Sequence, residues 1–456
     1  MVNGMKFKRV ILPTILAILV ISSITLSSLI VFRPVYIFSN GNHTKNQHNP
    51  TNDILVTNTT LNAEDVFMPS FYITYVNDEI QYSANPEILE KVTDNMENTC
   101  FDLTKQSILN QYDYEQLVFK ESAAELLFDA PISFGVVESY FKEVPEEFIE
   151  DVFTRIAFSS VDSTRVYFIN DATRQIYLAK TSLNDSSWFE SFYDAEEFKK
   201  IQSYVTKEGL TFIPTEALTL PKEVYLVEQS PTSYFIGELF PDTNELRNRS
   251  DGAAIVYNDT LSQLKIDRTT RVLTYFRNQP ITDELEMTKS LQQSFYELRR
   301  FEDWDLGLRY SGYSAEKHTV DFTRYIDSIP ILGSGGFGNV QLSVTKDGIS
   351  QMRLSTLVAK TLITKREEMV SLTSGKAIVD LLLSKGLALT DIESIRIGYE
   401  WQASEESNRL ATFEPKWFVK VDGSWHSVEA YIKDLANANA SLVALEMVNG
   451  GVDSGF

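Results

Sequence analysis

The sharpest chemical pattern in the chain is Gly333-Ser334-Gly335-Gly336-Phe337-Gly338-Asn339-Val340. It fits the G-x-G-x-x-G-x-V loop that covers ATP phosphates in protein kinases, and Val358-Ala359-Lys360 follows in the place of the ATP-pairing lysine. The parts that would make such a loop catalytic are absent. No H-R-D loop exists, Asp321-Phe322-Thr323 precedes the glycines, and only 118 residues follow Gly338, too few for the rest of a kinase. Glycines without those partners read as a permissive turn between Ile329-Pro330-Ile331 and a strand over Gln341–Val344.

Ser343-Val344-Thr345-Lys346 spells S-x-x-K, the nucleophile motif of penicillin-recognising enzymes. That serine must open a helix, whereas here it falls on a predicted strand with neither S-D-N nor K-T-G elsewhere. Of the four histidines, His43 and His48 lie in an Asn-rich stretch, which leaves only His318 and His426 for imidazole acid–base work. Cys100 is the single cysteine. The spacing Leu89, Val92, Met96, Cys100 puts it on the apolar face of a helix, where a thiol is structural rather than nucleophilic. Carboxylates are plentiful, and a Glu/Asp pair in a cleft would support a hydrolase; most such residues simply form a solvated acidic face. No catalytic residue, metal ligand or cofactor is assigned.

Residues 10–32 carry no charge over 23 positions. A helix of that length reaches about 35 Å, enough to cross a hydrocarbon core of about 30 Å. Lys6, Lys8 and Arg9 precede it and only Arg33 follows closely, so the positive-inside rule puts residues 1–9 in the cytoplasm and the bulk of the chain outside. The run is too long for a cleaved signal peptide and has no small-x-small site at its end, which makes it an uncleaved anchor. Ser22, Ser23, Thr25, Ser27 and Ser28 cluster in its outer half. Ser23 and Ser27 form a small-xxx-small pair, the candidate contact with another membrane helix.

The chain holds 41 basic and 63 acidic side chains, a net charge of −22; without the three cytoplasmic cations the exported part stands at −25. Such a surface repels nucleic acid. One cysteine permits no internal disulfide, which in an exported chain suits a Gram-positive bacterium better than a eukaryotic secretory pathway.

These features have to be positioned by the elements around them. Residues 33–62 read as a flexible stalk, rich in Asn and Thr. Phe71, Ile73 and Tyr75 alternate as a strand, and a helix starts at Pro86 with Asn85 as cap. A helix is expected around Ser133–Lys142, then a hairpin of Arg165–Ile169 with Gln175–Ala179. A further helix is expected from Asp194, with Glu197 completing a capping box and Phe198, Ile201 and Val205 inward. Strands follow at Val224–Val227 and Val272–Phe276, and a helix carries Leu291, Phe295 and Leu298. Past Tyr325 come more strands, a helix at Gly375–Ser384 closed by Gly386, and the period of two in Ile395, Ile397, Tyr399 and Trp401. Asp422-Gly423 marks a hairpin between Val421 and Trp425, and a last helix carries Val428, Tyr431, Ile432 and Leu435. The fold class is α+β, mainly antiparallel sheet with helices, in an ectodomain of three parts: 63–205, 206–315 and 316–440, followed by a tail at 441–456.

Several stretches resemble the YycH (WalH) family across nearly the whole chain. They are Phe32-Arg33-Pro34, Val66-Phe67-Met68-Pro69-Ser70 and Val166-Tyr167-Phe168-Ile169-Asn170. In the C-terminal third they continue with Ser290-Leu291-Gln292-Gln293-Ser294-Phe295, Tyr325-Ile326-Asp327-Ser328-Ile329-Pro330, Leu372-Thr373-Ser374-Gly375, Ile397-Gly398-Tyr399-Glu400 and Glu414-Pro415-Lys416-Trp417-Phe418. The long stalk departs from the pattern. The resemblance implies a non-catalytic, membrane-anchored regulator of a YycG/WalK-type sensor histidine kinase in cell-wall homeostasis. It also implies a YycI-like companion with which the central and C-terminal domains share a fold. Two other classes have distinct signatures: a hydrolase needs a carboxylate pair in a cleft, and a cell-wall or small-ligand sensor needs an apolar pocket with convergent polar groups.

The anchor reading predicts that protease added to intact wall-free cells digests the bulk of the chain. A mature secreted form beginning after Phe32 would overturn it.

Overall fold

Runs of β-branched and aromatic residues separated by short turns make strand the commonest element among the described residues. The computed structural model describes residues 61–437 apart from 77–78, 182–189, 195, 279–284, 334, 364–367, 404–406 and 408. The predicted membrane segment with Ser23 and Ser27, nearly all of the stalk, and the tail lie outside the described residues. Among the described residues no helix is long and apolar enough to cross a membrane.

The first sheet is built from β1 (Phe71–Val76), β2 (Glu79–Ser83), β3 (Phe101–Ile108), β4 (Ser122–Ser133), β5 (Phe141–Glu143), β6 (Val152–Ser159), β7 (Arg165–Asn170), β8 (Gln175–Lys180), β9 (Lys199–Thr206) and β10 (Gly209–Pro214). Its order is β10-β9-β2-β1-β4-β6-β7-β8-β3-β5, with only β3 and β5 parallel. The strand expected from Phe71 forms, and it is covered on both faces: Tyr72 and Ile73 are both fully buried.

The rest of the described strands are β11 (Leu218–Pro221), β12 (Glu223–Gln229), β13 (Arg247–Asn248), β14 (Ala254–Asn258), β15 (Ser262–Asp267), β16 (Val272–Arg277), β17 (Leu308–Ser314), β18 (Thr319–Ile326), β19 (Ile329–Leu332), β20 (Asn339–Thr345), β21 (Gly348–Ser355), β22 (Leu357–Leu362), β23 (Met369–Leu372), β24 (Ser394–Ala403), β25 (Leu410–Val421) and β26 (Ser424–Ser427). All but β11 and β23, which pair with each other, join one large sheet in the order β13-β14-β15-β16-β21-β20-β18-β19-β24-β25-β12-β22. In it β17 lies beside β18 and β26 beside β25. Only β19 and β24 run parallel, so the architecture is the mainly antiparallel α+β arrangement expected.

Helices α1 (Ala63–Val66), α2 (Pro86–Thr99), α3 (Gln111–Lys120), α4 (Thr232–Leu239), α5 (Met287–Leu298) and α6 (Gly375–Ser384) pack on these sheets. In α2 the Asn85 side chain accepts from the Glu87 N–H at 3.0 Å, and Leu89, Val92 and Met96 are fully buried. Spacing of three and four puts Leu291, Phe295 and Leu298 of α5 on one face. That face belongs to an apolar core shared by the two sheets, joining Tyr72, Leu126, Phe134 and Phe168 to Leu264, Phe322 and Leu342. Phe67 bridges them, its ring 5.9 Å from Phe295 and 5.7 Å from Tyr310.

Three expectations are corrected. Residues 199–206 form β9, not a helix: Ile201, Tyr204, Val205 and Thr206 favour a strand, and β9 is paired by both β2 and β10. Asp194 instead makes a turn, its Oδ1 accepting from the Glu196 N–H at 3.0 Å, and the Glu197 carboxylate accepts from Asn85 Nδ2. Over Ser133–Lys142 the helix is only a 3-10 turn at Glu138–Tyr140 between β4 and β5, because Phe134 and Phe141 both turn into the core. Cys100 is half-buried at the left-handed end of α2, φ 53°, past the helix face on which its spacing placed it. The helices α1, α3 and α4 lie outside the expected set. The Asp422-Gly423 hairpin does form, with φ of 49° and 73° as a two-residue primed turn requires.

The glycine loop is the turn expected between β19 and β20. Added at Gly338, a Cβ would stand 2.0 Å from the Ile331 carbonyl oxygen, whereas at Gly335 it would meet nothing within 4 Å. Gly338→Ala should therefore lower stability by about 3 kcal/mol, the upper end of overpacking costs, and Gly335→Ala should be near neutral. Equal thermal midpoints for the two variants would contradict this packing.

Candidate functional site

The residues with motif-like spacing are held in structural roles. Phe337 in the middle of the glycine loop is buried, its ring 3.8 Å from that of Trp401 and 5.6 Å from that of Trp304. The loop thus faces the core instead of cradling a phosphate. Lys360 Nζ lies 2.8 Å from Asp303 Oδ2 and 3.5 Å from Asp305 Oδ2. Ser343 is buried on β20 rather than at a helix start, His318 sits in a turn at φ 51°, and the His426 ring packs 5.5 Å from that of Tyr431.

What the fold does concentrate is buried arginine. Arg155 on β6 is wholly buried between Glu125 of β4, which it contacts closely through Nη1, and Asp171, whose Oδ1 accepts from Nε at 3.0 Å. The Tyr75 hydroxyl donates to Glu125 at 3.0 Å and that of Tyr114 to Asp171 at 2.8 Å. Arg324 on β18 donates to both oxygens of Glu302, at 2.9 and 3.0 Å, and to the carbonyls of Phe337, Ser355 and Leu357. It also lies 5.1 Å from the Trp304 ring centre. Burial pushes the Glu125 and Glu302 carboxyls up, and the guanidinium beside each opposes that push. These carboxylates face arginines, not one another across a cleft as glycoside hydrolysis needs. Among the described residues no group of His, Cys, Asp and Glu is arranged to hold a metal.

A third cluster lies where the two sheets meet. Asp129 of β4 accepts from the Tyr325 hydroxyl at 2.6 Å and from Arg396 Nη1 at 3.1 Å, with Tyr325 on β18 and Arg396 on β24. Burial alone would raise the Asp129 carboxyl, but Arg396, Tyr325 and Ser70 together hold it below the usual carboxylate range. Arg309 on β17 places its guanidinium 4.7 Å from the centre of the Tyr325 ring. Two cavities flank this cluster. The larger, about 730 Å³, has an apolar wall including Phe71, Phe212, Leu220 and Ile329 and opens on Arg396. The smaller, about 250 Å³, is lined by Arg309, and the two share Pro86 and Asp327 in their walls.

None of Asp129, Arg155, Arg309, Arg324 or Arg396 follows from motif reading. Asp129 and Arg396 do break apolar strand runs, in Leu126-Leu127-Phe128-Asp129-Ala130 and Ile395-Arg396-Ile397. A charge inside such a run is the available signal that a partner waits across a sheet or interface.

The sequence profile of the YycH protein C-terminal domain matches residues 208–435. In structure the chain is similar to YycH from Bacillus subtilis, at a TM-score of 0.66 and 16% identity, over 81% of this chain and 98% of the other. That likeness concerns the fold. No curated protein matches the chain in sequence.

Asp129→Asn should cost about 1 to 3 kcal/mol at neutral pH, because it removes the carboxylate partner of the half-buried Arg396. The carboxyl lies lower in the folded than in the unfolded state, so its contribution is present above the ordinary aspartate range and lost as pH falls through the folded value. The gap between parent and variant in thermal unfolding should close on acidification. A gap that stayed constant to the lowest accessible pH would contradict this assignment.

Proposed function

The chain belongs to the YycH family, and we propose that it is a non-catalytic regulator of two-component signalling, binding a membrane sensor histidine kinase of the YycG/WalK type together with a YycI-like companion. In this reading it modulates kinase activity in cell-wall homeostasis, anchored by residues 10–32 with its N-terminus in the cytoplasm and its bulk outside. The observation that carries the reading is the family match over residues 208–435.

The chemistry of the buried clusters is consistent with it. Charges paired between strands, as in Arg155 with Glu125 and Arg324 with Glu302, specify packing. A hydrolase is disfavoured because Glu125 and Glu302 are committed to Arg155 and Arg324. The small-ligand sensor keeps one observation in its favour, the 730 Å³ cavity with its apolar wall.

The membrane helix enters the proposal through Ser23 and Ser27. Lipid tails are as apolar as leucine, so helices associate by close packing of small residues and by hydrogen bonds between them.

Tagged full-length protein recovered from detergent-solubilised membranes should bring down the kinase and the companion. Recovery of neither would sink the proposal. Ser23→Leu with Ser27→Leu should insert normally yet weaken association in a membrane two-hybrid assay, by about threefold for one lost contact of about 0.6 kcal/mol. Association equal to the parent in both that variant and one with a scrambled helix would remove the helix from the interface.

A further inference from the structure

Beneath α3 the hydrogen-bond count of one hydroxyl does not close. The Tyr75 hydroxyl lies 3.0 Å from Glu125 Oε1 and also 3.0 Å from the carbonyl oxygen of Val118, in the last turn of α3. The final four carbonyls of a helix lack partners within it. Here two are reached from the sheet: the Ser122 hydroxyl donates to that of Leu117 at 2.9 Å, and Tyr75 reaches that of Val118. Burial keeps the Tyr75 hydroxyl from ionising, so it has one proton to give and two acceptors that want it. The charges run the same way. Glu125 of β4 is wholly buried and faces Arg155 from β6, Asp171 from the turn after β7, Tyr75 from β1 and Tyr114 from α3. Two carboxyls thus meet one guanidinium. Asp171 is the anion of the pair: it accepts from Arg155 Nε at 3.0 Å and Nη2 at 3.1 Å, and from the Tyr114 hydroxyl at 2.8 Å, so both of its oxygens face donors.

We propose that Glu125 is a protonated carboxylic acid at neutral pH and acts as a proton-dependent latch on α3. Its Oε1–H donates to the Tyr75 oxygen, the Tyr75 hydroxyl donates to the Val118 carbonyl, and Oε2 still accepts from Arg155 Nη1. Each group in that relay then has its partner, and Arg155 with Asp171 forms a complete, neutral pair. Desolvation favours the same state: burial raises the Glu125 carboxyl, Arg155 opposes the rise and Asp171 adds to it. Losing the proton turns the Tyr75 hydroxyl back to Glu125, uncaps Val118 and sets a second buried negative charge against one arginine. Tyr114, Leu117 and Val118 of α3 pack with Ala157 and Ile169, whose neighbours Ile156 and Phe168 point into the shared core. Release of α3 therefore bares the opposite face of the first sheet. Glu125 keeps its proton to higher pH in the folded than in the unfolded chain. Its contribution is complete in acid and is lost as pH rises through the folded value. The latch stands independently of kinase binding.

The test uses full-length protein in lipid nanodiscs. At neutral pH its infrared spectrum should hold the C=O stretch of a protonated carboxyl that Glu125→Gln removes. Tyr75→Phe, which takes away the acceptor of that proton, should shift the same band and decides the matter should the first variant fail to fold. Glutamine reproduces the protonated geometry, so the thermal midpoint of Glu125→Gln should match the parent's in mild acid and exceed it increasingly as pH rises. Asp171→Asn, which removes the anion paired with Arg155, should fall below the parent at neutral pH. Amide exchange over α3, corrected for its intrinsic rate, should lose protection in the parent by about tenfold per pH unit while Glu125 is still protonated. Glu125→Gln should show no such loss. A spectrum in which neither variant alters a protonated-carboxyl band would overturn the assignment. So would a Glu125→Gln midpoint as low as that of Asp171→Asn at neutral pH, or α3 exchange with the same pH dependence in parent and Glu125→Gln.

Discussion

Asp129 is the charge on which the junction of the two sheets depends. It sits in the second half of β4, in the irregular stretch between Leu127 and Ile132, on a strand in the middle of the first sheet. There it accepts hydrogen bonds from side chains of β18 and β24. The polar contacts around it follow the same line: Tyr310 donates to the Pro131 carbonyl at 2.9 Å, and Thr288 Oγ1 to Ser133 Oγ at 2.8 Å. Ion pairs of this kind gain little net free energy, because desolvation offsets most of the attraction. What they add is register. A sheet displaced by one residue would leave a carboxylate or a guanidinium buried alone, a penalty that apolar contacts do not impose.

Beneath the polar junction lies a core that does not divide at the sheet boundary. Phe67 and α5 bind the first sheet to β17, β18 and β20, and Gly135 lies so close to α5 that a Cβ there would stand 2.7 Å from Thr288 Cγ2. Strands from residues 206–315 and from 316–440 alternate within the larger sheet, where β16 pairs with β21 and β12 with both β22 and β25. Such interleaving lets a perturbation at one face reach distant strands through packed side chains, since close-packed interiors transmit strain.

Much of the local structure was legible in the residues themselves. Period-two alternation found the strand at Phe71 and the one through Ile395 and Tyr399; Asn85-Pro86 found a helix start; Asp422-Gly423 found a hairpin; isolated glycines without kinase partners found a turn. These signals work because each depends on backbone preference or on one face meeting an apolar neighbour, and both are written within a few residues. The helix expected from Asp194 failed for the complementary reason. Its capping pattern is a real local preference, but β2 and β10 offer the same residues two strand partners, and paired edges outweigh a cap worth about 1 kcal/mol.

By itself the sequence determined the α+β class, the largely antiparallel pairing, the absence of a complete kinase or penicillin-binding motif set, and the resemblance that led to the family. Tertiary structure alone decided which charges matter. Asp129 and Arg396 are 267 positions apart, and Arg309 meets Tyr325 across a strand pair. No spacing rule joins residues so distant, because their partnership is made by the sheet order and the shared core. The cavities have the same origin: their walls come from segments that only the packing of one sheet against the other brings side by side.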